Sequence, residues 1–64
     1  MKLNGKEIKI ENPTALSVIL ENQGFNRSKI AVMINGDIVP KAEYDKTTVN
    51  NNDNLEVVSF VGGG

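Results

Sequence analysis

The run Ile30-Ala31-Val32-Met33-Ile34-Asn35-Gly36-Asp37-Ile38-Val39-Pro40 decides the fold. Five consecutive apolar residues predict a strand near the middle of a sheet, where neighbours on both sides exclude water. Asn35-Gly36 is the dipeptide that a two-residue type I′ turn prefers, because both central residues must take φ > 0. Ile38-Val39 leads away from the turn until Pro40, which has no N–H to donate, stops the ladder. An all-apolar run carries no period-two signal, so the face occupied by each of residues 30–34 stays open at this level.

Toward the N-terminus the sequence predicts one helix. Thr14 or Asn12 is the expected cap, with Pro13 at the first helical position. Ala15, Leu16, Val18, Ile19 and Leu20 gather on one side at helical spacing, leaving Ser17, Glu21 and Asn22 to water. Gly24 supplies a left-handed stop, and Phe25 folds back as the apolar contact of a Schellman-type end. No other helix is available to cover a sheet, so the apolar stripe reads as core rather than as a partner groove. Before the helix, Asn4-Gly5 repeats the type I′ signal between a short strand at Lys2-Leu3 and the alternating strand Lys6-Glu7-Ile8-Lys9-Ile10.

Toward the C-terminus, residues 41–48 predict a turn with one helical turn and then a brief edge strand. Asn50-Asn51-Asn52-Asp53 reads as a solvated turn, and Leu55–Val61 as the last strand, followed by Gly62-Gly63-Gly64. Hairpin, helix, hairpin and final strand make an α+β chain of the β-grasp (ubiquitin-like) type. That architecture is a mixed sheet of four to five strands over one helix, with the last strand paired centrally beside the first. Residues 1–61 form the domain and 62–64 a flexible glycine tail.

Composition narrows the function. A chain of 64 residues is one small domain, burying only about 60% of the surface its unfolded form exposes. Seven Lys and Arg are scattered among eight Asp and Glu, with no basic stripe, so nucleic acid is not an expected partner. No apolar run reaches membrane length, and a cytoplasmic protein, monomeric when free, is expected. The absence of Cys removes thiolate nucleophiles and thiolate metal sites, and the absence of His removes the side chain that titrates near neutrality. No catalytic residue, metal site or bound cofactor is expected; the chain reads as a carrier or binding protein rather than an enzyme.

The glycines carry the chemistry. They follow a core strand directly, pass where a Cβ would clash, and span roughly 10 Å when extended. That reach would deliver the Gly64 carboxylate into another protein's narrow active site, with Gly62 and Gly63 giving clearance. A free α-carboxyl, with a pKa of roughly 3.3–3.7, is an anion at neutral pH and a poor electrophile. Adenylation by ATP would supply a leaving group, and a sulfur nucleophile could then displace AMP to leave a terminal thiocarboxylate. If Leu55 and Val57 point inward, period two sets Val58 and Phe60 on a different exposure pattern, with Phe60 close to the tail. Both are candidate partner-binding residues, although a plain core role for Phe60 competes.

The segment Ile34–Tyr44 resembles the N-G-x-I-V-P-R/K-x-x-W/Y pattern of the sulfur-carrier proteins of thiamin (thiazole) biosynthesis, the ThiS family. Asp53–Gly64 resembles their final strand and Gly-Gly end, and Thr14 ahead of Val18-Ile19 their helix start. Two positions depart from that pattern: Asn51-Asn52-Asp53 stands where Asp-Gly-Asp is usual, and Tyr44 where Trp is common. The resemblance implies that an E1-like, ATP-dependent adenylyltransferase (ThiF type) activates Gly64, that a persulfide sulfurtransferase supplies sulfur, and that a thiazole synthase (ThiG type) consumes it. ATP is then a co-substrate of the partner, and the thiocarboxylate is a covalent state of the carrier. A molybdopterin-synthase small subunit, a ubiquitin-like protein modifier and an inert β-grasp interaction module are the competing readings.

Overall fold

Both asparagine–glycine pairs turn the chain as their chemistry requires. Asn4 and Gly5 take φ of 52° and 81°, and Asn35 and Gly36 take 52° and 89°. The computed structural model describes residues 1–60 and consists of β1 (Lys2–Leu3), β2 (Lys6–Glu7), β3 (Thr14–Ala15), α1 (Leu16–Asn22), β4 (Ile30–Ile34), β5 (Asp37–Val39), β6 (Thr48–Val49) and β7 (Asn54–Ser59). Two 3₁₀ turns, Arg27–Lys29 and Lys41–Glu43, precede β4 and follow β5. The main sheet runs β2-β1-β7-β4-β5, with β7 parallel to β1 and antiparallel to β4. This is the expected mixed β-grasp sheet, with the last strand central beside the first.

Pairing settles the faces of β4. Ile30 and Val32 are buried and Ile34 is half-buried, on the same side as Leu55 and Val57 of β7 and Leu3 of β1. Against that side pack Leu16, Ile19 and Leu20 of α1, joined by Met1, Val49 and Tyr44. Tyr44 is only 1% exposed, so the ring at this position fills the core. Burial pushes its phenol above the ordinary pKa, while the Arg27 guanidinium pulls it back.

Several local expectations are corrected. The helix starts at Leu16 rather than Pro13, and neither Thr14 nor Asn12 caps it; its N-cap is Ala15, with no side-chain cap bond. Thr14 and Ala15 are extended and pair with Val49 and Thr48, and the Thr14 hydroxyl donates to the Asn12 carbonyl instead. The orphan donors of the first turn are met from far along the chain: Leu16 N–H donates to Thr47 O (2.8 Å) and Ser17 N–H to Tyr44 O (3.1 Å). Val18, placed on the apolar side by spacing, is 44% exposed. The helix ends as expected, with Phe25 N–H on Leu20 O and Gly24 N–H on Glu21 O.

The other corrections lie at strand ends. β2 covers only Lys6–Glu7, although Ile8 still exchanges hydrogen bonds with Met1, and Ile8 and Ile10 continue the alternation as half-buried residues. β6 is not an edge of the main sheet; it pairs with β3 in a separate two-stranded sheet. The 50–53 turn is more than a solvated loop, because the Asn51 side chain both accepts from Ile10 N–H and donates to Ile10 O. Neither Asn51 nor Asn52 takes positive φ, so the turn forms here without the left-handed geometry that a glycine in this place would allow.

Leu16 is fully buried and Ile19 nearly so. Truncating either to Ala should cost about 2–5 kcal/mol, comparable with the whole stability of a domain held by ~0.05–0.15 kcal/mol per residue. Both variants should show collapsed NMR dispersion or lost near-ultraviolet dichroism. A well-dispersed native spectrum from both would contradict this packing.

Candidate functional site: the outer sheet face and the tail exit

β7 delivers the chain to the glycines. Its inward residues, Leu55 and Val57, are buried, and the intervening Glu56 and Val58 face the other way. Val58 and Phe60 are each 56% exposed, so Phe60 is an outer-face residue and not part of the core. Beyond the strand, Phe60 N–H donates to Lys29 O at 2.8 Å, which continues the antiparallel pairing one step past Ser59. Val61, expected in the strand, and Gly62, Gly63 and Gly64, expected in the tail, lie outside the described residues.

The register shows what stands around the two predicted residues. Val58 lies opposite Ala31, and Met33 lies opposite Glu56 on one side and Ile38 on the other. Ala31, Met33, Ile38, Val58 and Phe60 therefore share the outer face of β4, β5 and β7, and Ile38 is 74% exposed. Sequence reasoning missed Met33 and Ile38 as surface residues. The usable signal was the Asn35-Gly36 turn: it pairs Ile34 with Asp37 and so Met33 with Ile38, opposite in face to Val32. At the far end of the same face stand Lys2, Glu7 and Asn54, paired across β1.

Among the described residues no cluster of acidic side chains has metal-binding spacing. A surface cavity of about 330 Å³ lies away from the apolar face, between α1 and the Arg27 arm, and is lined by Ser17, Glu21, Phe25 and Asp45 among others. Hydrogen bonds from the Ser17 hydroxyl and then from Arg27 hold the Asp45 carboxyl below its ordinary pKa. That carboxylate is therefore held in its charged form, unlike a general acid poised near neutrality. What the geometry offers is a set of exposed apolar side chains on the outer sheet face, at the end of the last described strand.

The chain joins a β-grasp domain that bears this exposed patch to a following glycine run. A profile of the ThiS family matches residues 1–64, and the chain belongs to that family. It is 31% identical to the sulfur carrier protein ThiS of Bacillus subtilis (strain 168), across 100% of this chain and 98% of that one. It is 39% identical over 62 residues to a thiazole synthase of Paramagnetospirillum magneticum, matching 97% of this chain but spanning only 19% of the relative's length. The crystal structure of the thiamine biosynthesis protein ThiS from Geobacter metallireducens superposes with a TM-score of 0.81 at 26% identity, over 98% of this chain and 96% of that one.

Phe60→Ala tests the face. An exposed position should change stability within about ±0.5 kcal/mol. Large aromatics often anchor interfaces, so binding to an E1-like adenylating enzyme should fall well beyond any loss of folded protein. Titration calorimetry beside thermal unfolding makes the comparison, and a binding loss no larger than the folding loss would remove Phe60 from the interface.

Proposed function

We propose that this chain is a sulfur carrier of thiamin biosynthesis whose working group is the Gly64 carboxylate. The observation that carries the reading is the central strand β7, held on both sides, which exposes Val58 and Phe60 and then runs toward three glycines. Membership of the ThiS family supports it, and so does a thiazole synthase relative that contains a segment like this one within a longer chain. Similarity to a thiazole synthase and to ThiS proteins favours the thiazole branch over a molybdopterin-type carrier or a protein tag.

The chemistry runs as follows. The Gly64 carboxylate attacks the α-phosphorus of ATP in the active site of an E1-like adenylyltransferase, and pyrophosphate leaves. The terminal sulfur of a sulfurtransferase persulfide attacks the acyl carbon; the C–S bond forms and AMP departs with the C–O electron pair. A thiol then reduces the resulting acyl disulfide, freeing the thiocarboxylate, whose sulfur passes to thiazole synthase. The carrier contributes the docking face, the reach of its glycines and a carboxylate with no Cβ beside it. It performs no chemistry of its own.

Deleting Gly64, or appending one Ala after it, separates this role from stability. The buried residues of the described structure all lie at or before Val57, so the unfolding midpoint should stay at the parent value. Deletion withdraws the carboxylate by about 3.3–3.6 Å, beyond what near-attack geometry tolerates. Both variants should lose ATP-dependent adenylation and thiocarboxylate formation when incubated with the cognate adenylating enzyme, ATP and a sulfur donor. Mass spectrometry reads the products, and parent-rate thiolation of either variant would refute the proposal.

A further inference from the structure

Glycine restricts φ and ψ less than any other residue, so a glycine run depends for its placement on the chain that precedes it. The last described residue is Phe60, and its N–H is held by the carbonyl of Lys29, the last residue of the Arg27–Lys29 turn. The turn is tied to the body of the protein by a reciprocal clip. Arg27 donates through Nη1 to Asp45 Oδ1 (3.2 Å) and through Nη2 to Lys41 O (3.1 Å), and its guanidinium lies 5.3 Å from the ring centroid of buried Tyr44. In return, Lys41 Nζ donates to Ser28 O at 2.9 Å. Within the turn, the Asn26 side chain accepts from both Ser28 N–H and the Ser28 hydroxyl.

We propose that Arg27 is a positioning residue for the carrier's reaction: it locks the 27–29 turn against Tyr44, Asp45 and Lys41, and thereby fixes the carbonyl that aims the chain at Phe60. The inference rests on the sulfur-carrier reading above. Arg27 sits on the α1 side of the domain rather than in the apolar face, so its contribution is to the aim of the tail and not to docking. A planar guanidinium can serve Asp45, Lys41 and the Tyr44 ring together, whereas an ammonium can serve them only in part. Aim matters because displacing a reacting group by about 1 Å can cost on the order of 100-fold in rate.

The test compares the parent with Arg27→Ala and Arg27→Lys in two measurements. Amide hydrogen exchange should show the Phe60 N–H exchanging roughly tenfold faster in Arg27→Ala, with the Val57 and Ile8 amides unchanged. Adenylation kinetics, with the carrier as the varied substrate, should show kcat falling several-fold at unchanged KM, and Arg27→Lys recovering part of the loss. A rise in KM alone would make Arg27 a docking contact and overturn the proposal. Unchanged kinetics, or a loss matching the unfolded fraction by thermal melting, would overturn it equally. If the parent itself is not adenylated, the sulfur-carrier reading fails, and the Phe60 exchange rate still decides whether Arg27 holds the exit.

Discussion

A seven-residue helix can cover only one face of a five-stranded sheet, and the rest of the structure follows from that limit. Leu16, Ile19 and Leu20 occupy the inner face and pack on Ile30, Val32, Leu55 and Val57, leaving the outer face uncovered. Lys2, Glu7, Asn54 and Glu56 are polar positions on that face, as a solvated face should have, whereas Ile38, Val58 and Phe60 are exposed apolar ones. In a domain with so little core, apolar side chains pointing away from it contribute little to folding. On the function proposed above, these exposed apolar residues at the end of the last described strand are the surface offered to a partner.

Holding β7 in register is what keeps that division of faces intact, since a slip of one residue would turn Leu55 and Val57 outward. Two turn asparagines do much of the holding. The Asn4 amide accepts from Val57 N–H (2.8 Å) and donates to Val57 O (3.1 Å), which extends the parallel β1–β7 pairing past Leu3 with a side chain in place of a backbone. The Asn35 amide accepts from Asn54 N–H and donates to Asp53 Oδ1, both at 3.0 Å, gripping the start of β7 from the other side. Asn at these positions thus meets two demands at once. It tolerates positive φ, and it carries a donor and an acceptor for the neighbouring strand.

This explains how far the sequence could be read. The two Asn-Gly turns and the helix end at Gly24-Phe25 were legible because each is decided within a few residues, whereas the exposure of Val58 and Phe60 stayed open until strand pairing set Leu55 and Val57 inward. The helix start was not legible, because its donors are satisfied by the Tyr44 and Thr47 carbonyls, whose approach depends on the completed fold. A cap assigned from Thr14 or Asn12 lost to a β3–β6 pairing that nothing local announces. The outer-face roles of Met33 and Ile38 were hidden by the uniform apolarity of 30–34, and only the turn register reveals them. Arg27 gave no signal at all, since its partners come from a turn well downstream and from the core.

A carrier whose end is activated as an acyl adenylate also needs the rest of its surface to leave that end alone. The chain has no Cys, so no thiol of its own can intercept the activated group. Its one phenol, Tyr44, is almost wholly buried, and burial raises its pKa, so the hydroxyl is both out of reach and protonated. The same ring that fills the core, and over which Arg27 lies, is thereby withdrawn from chemistry. Among the described residues stability is built from buried positions no later than Val57; on the reading proposed here, contact comes from the outer face of β4, β5 and β7 and reactivity from the Gly64 carboxylate. Because these layers share few side chains, an exposed face residue can be tuned to a partner without weakening the core. A core residue can likewise be tuned without touching the carboxylate, which is what the proposed succession of partner enzymes would require of one small domain.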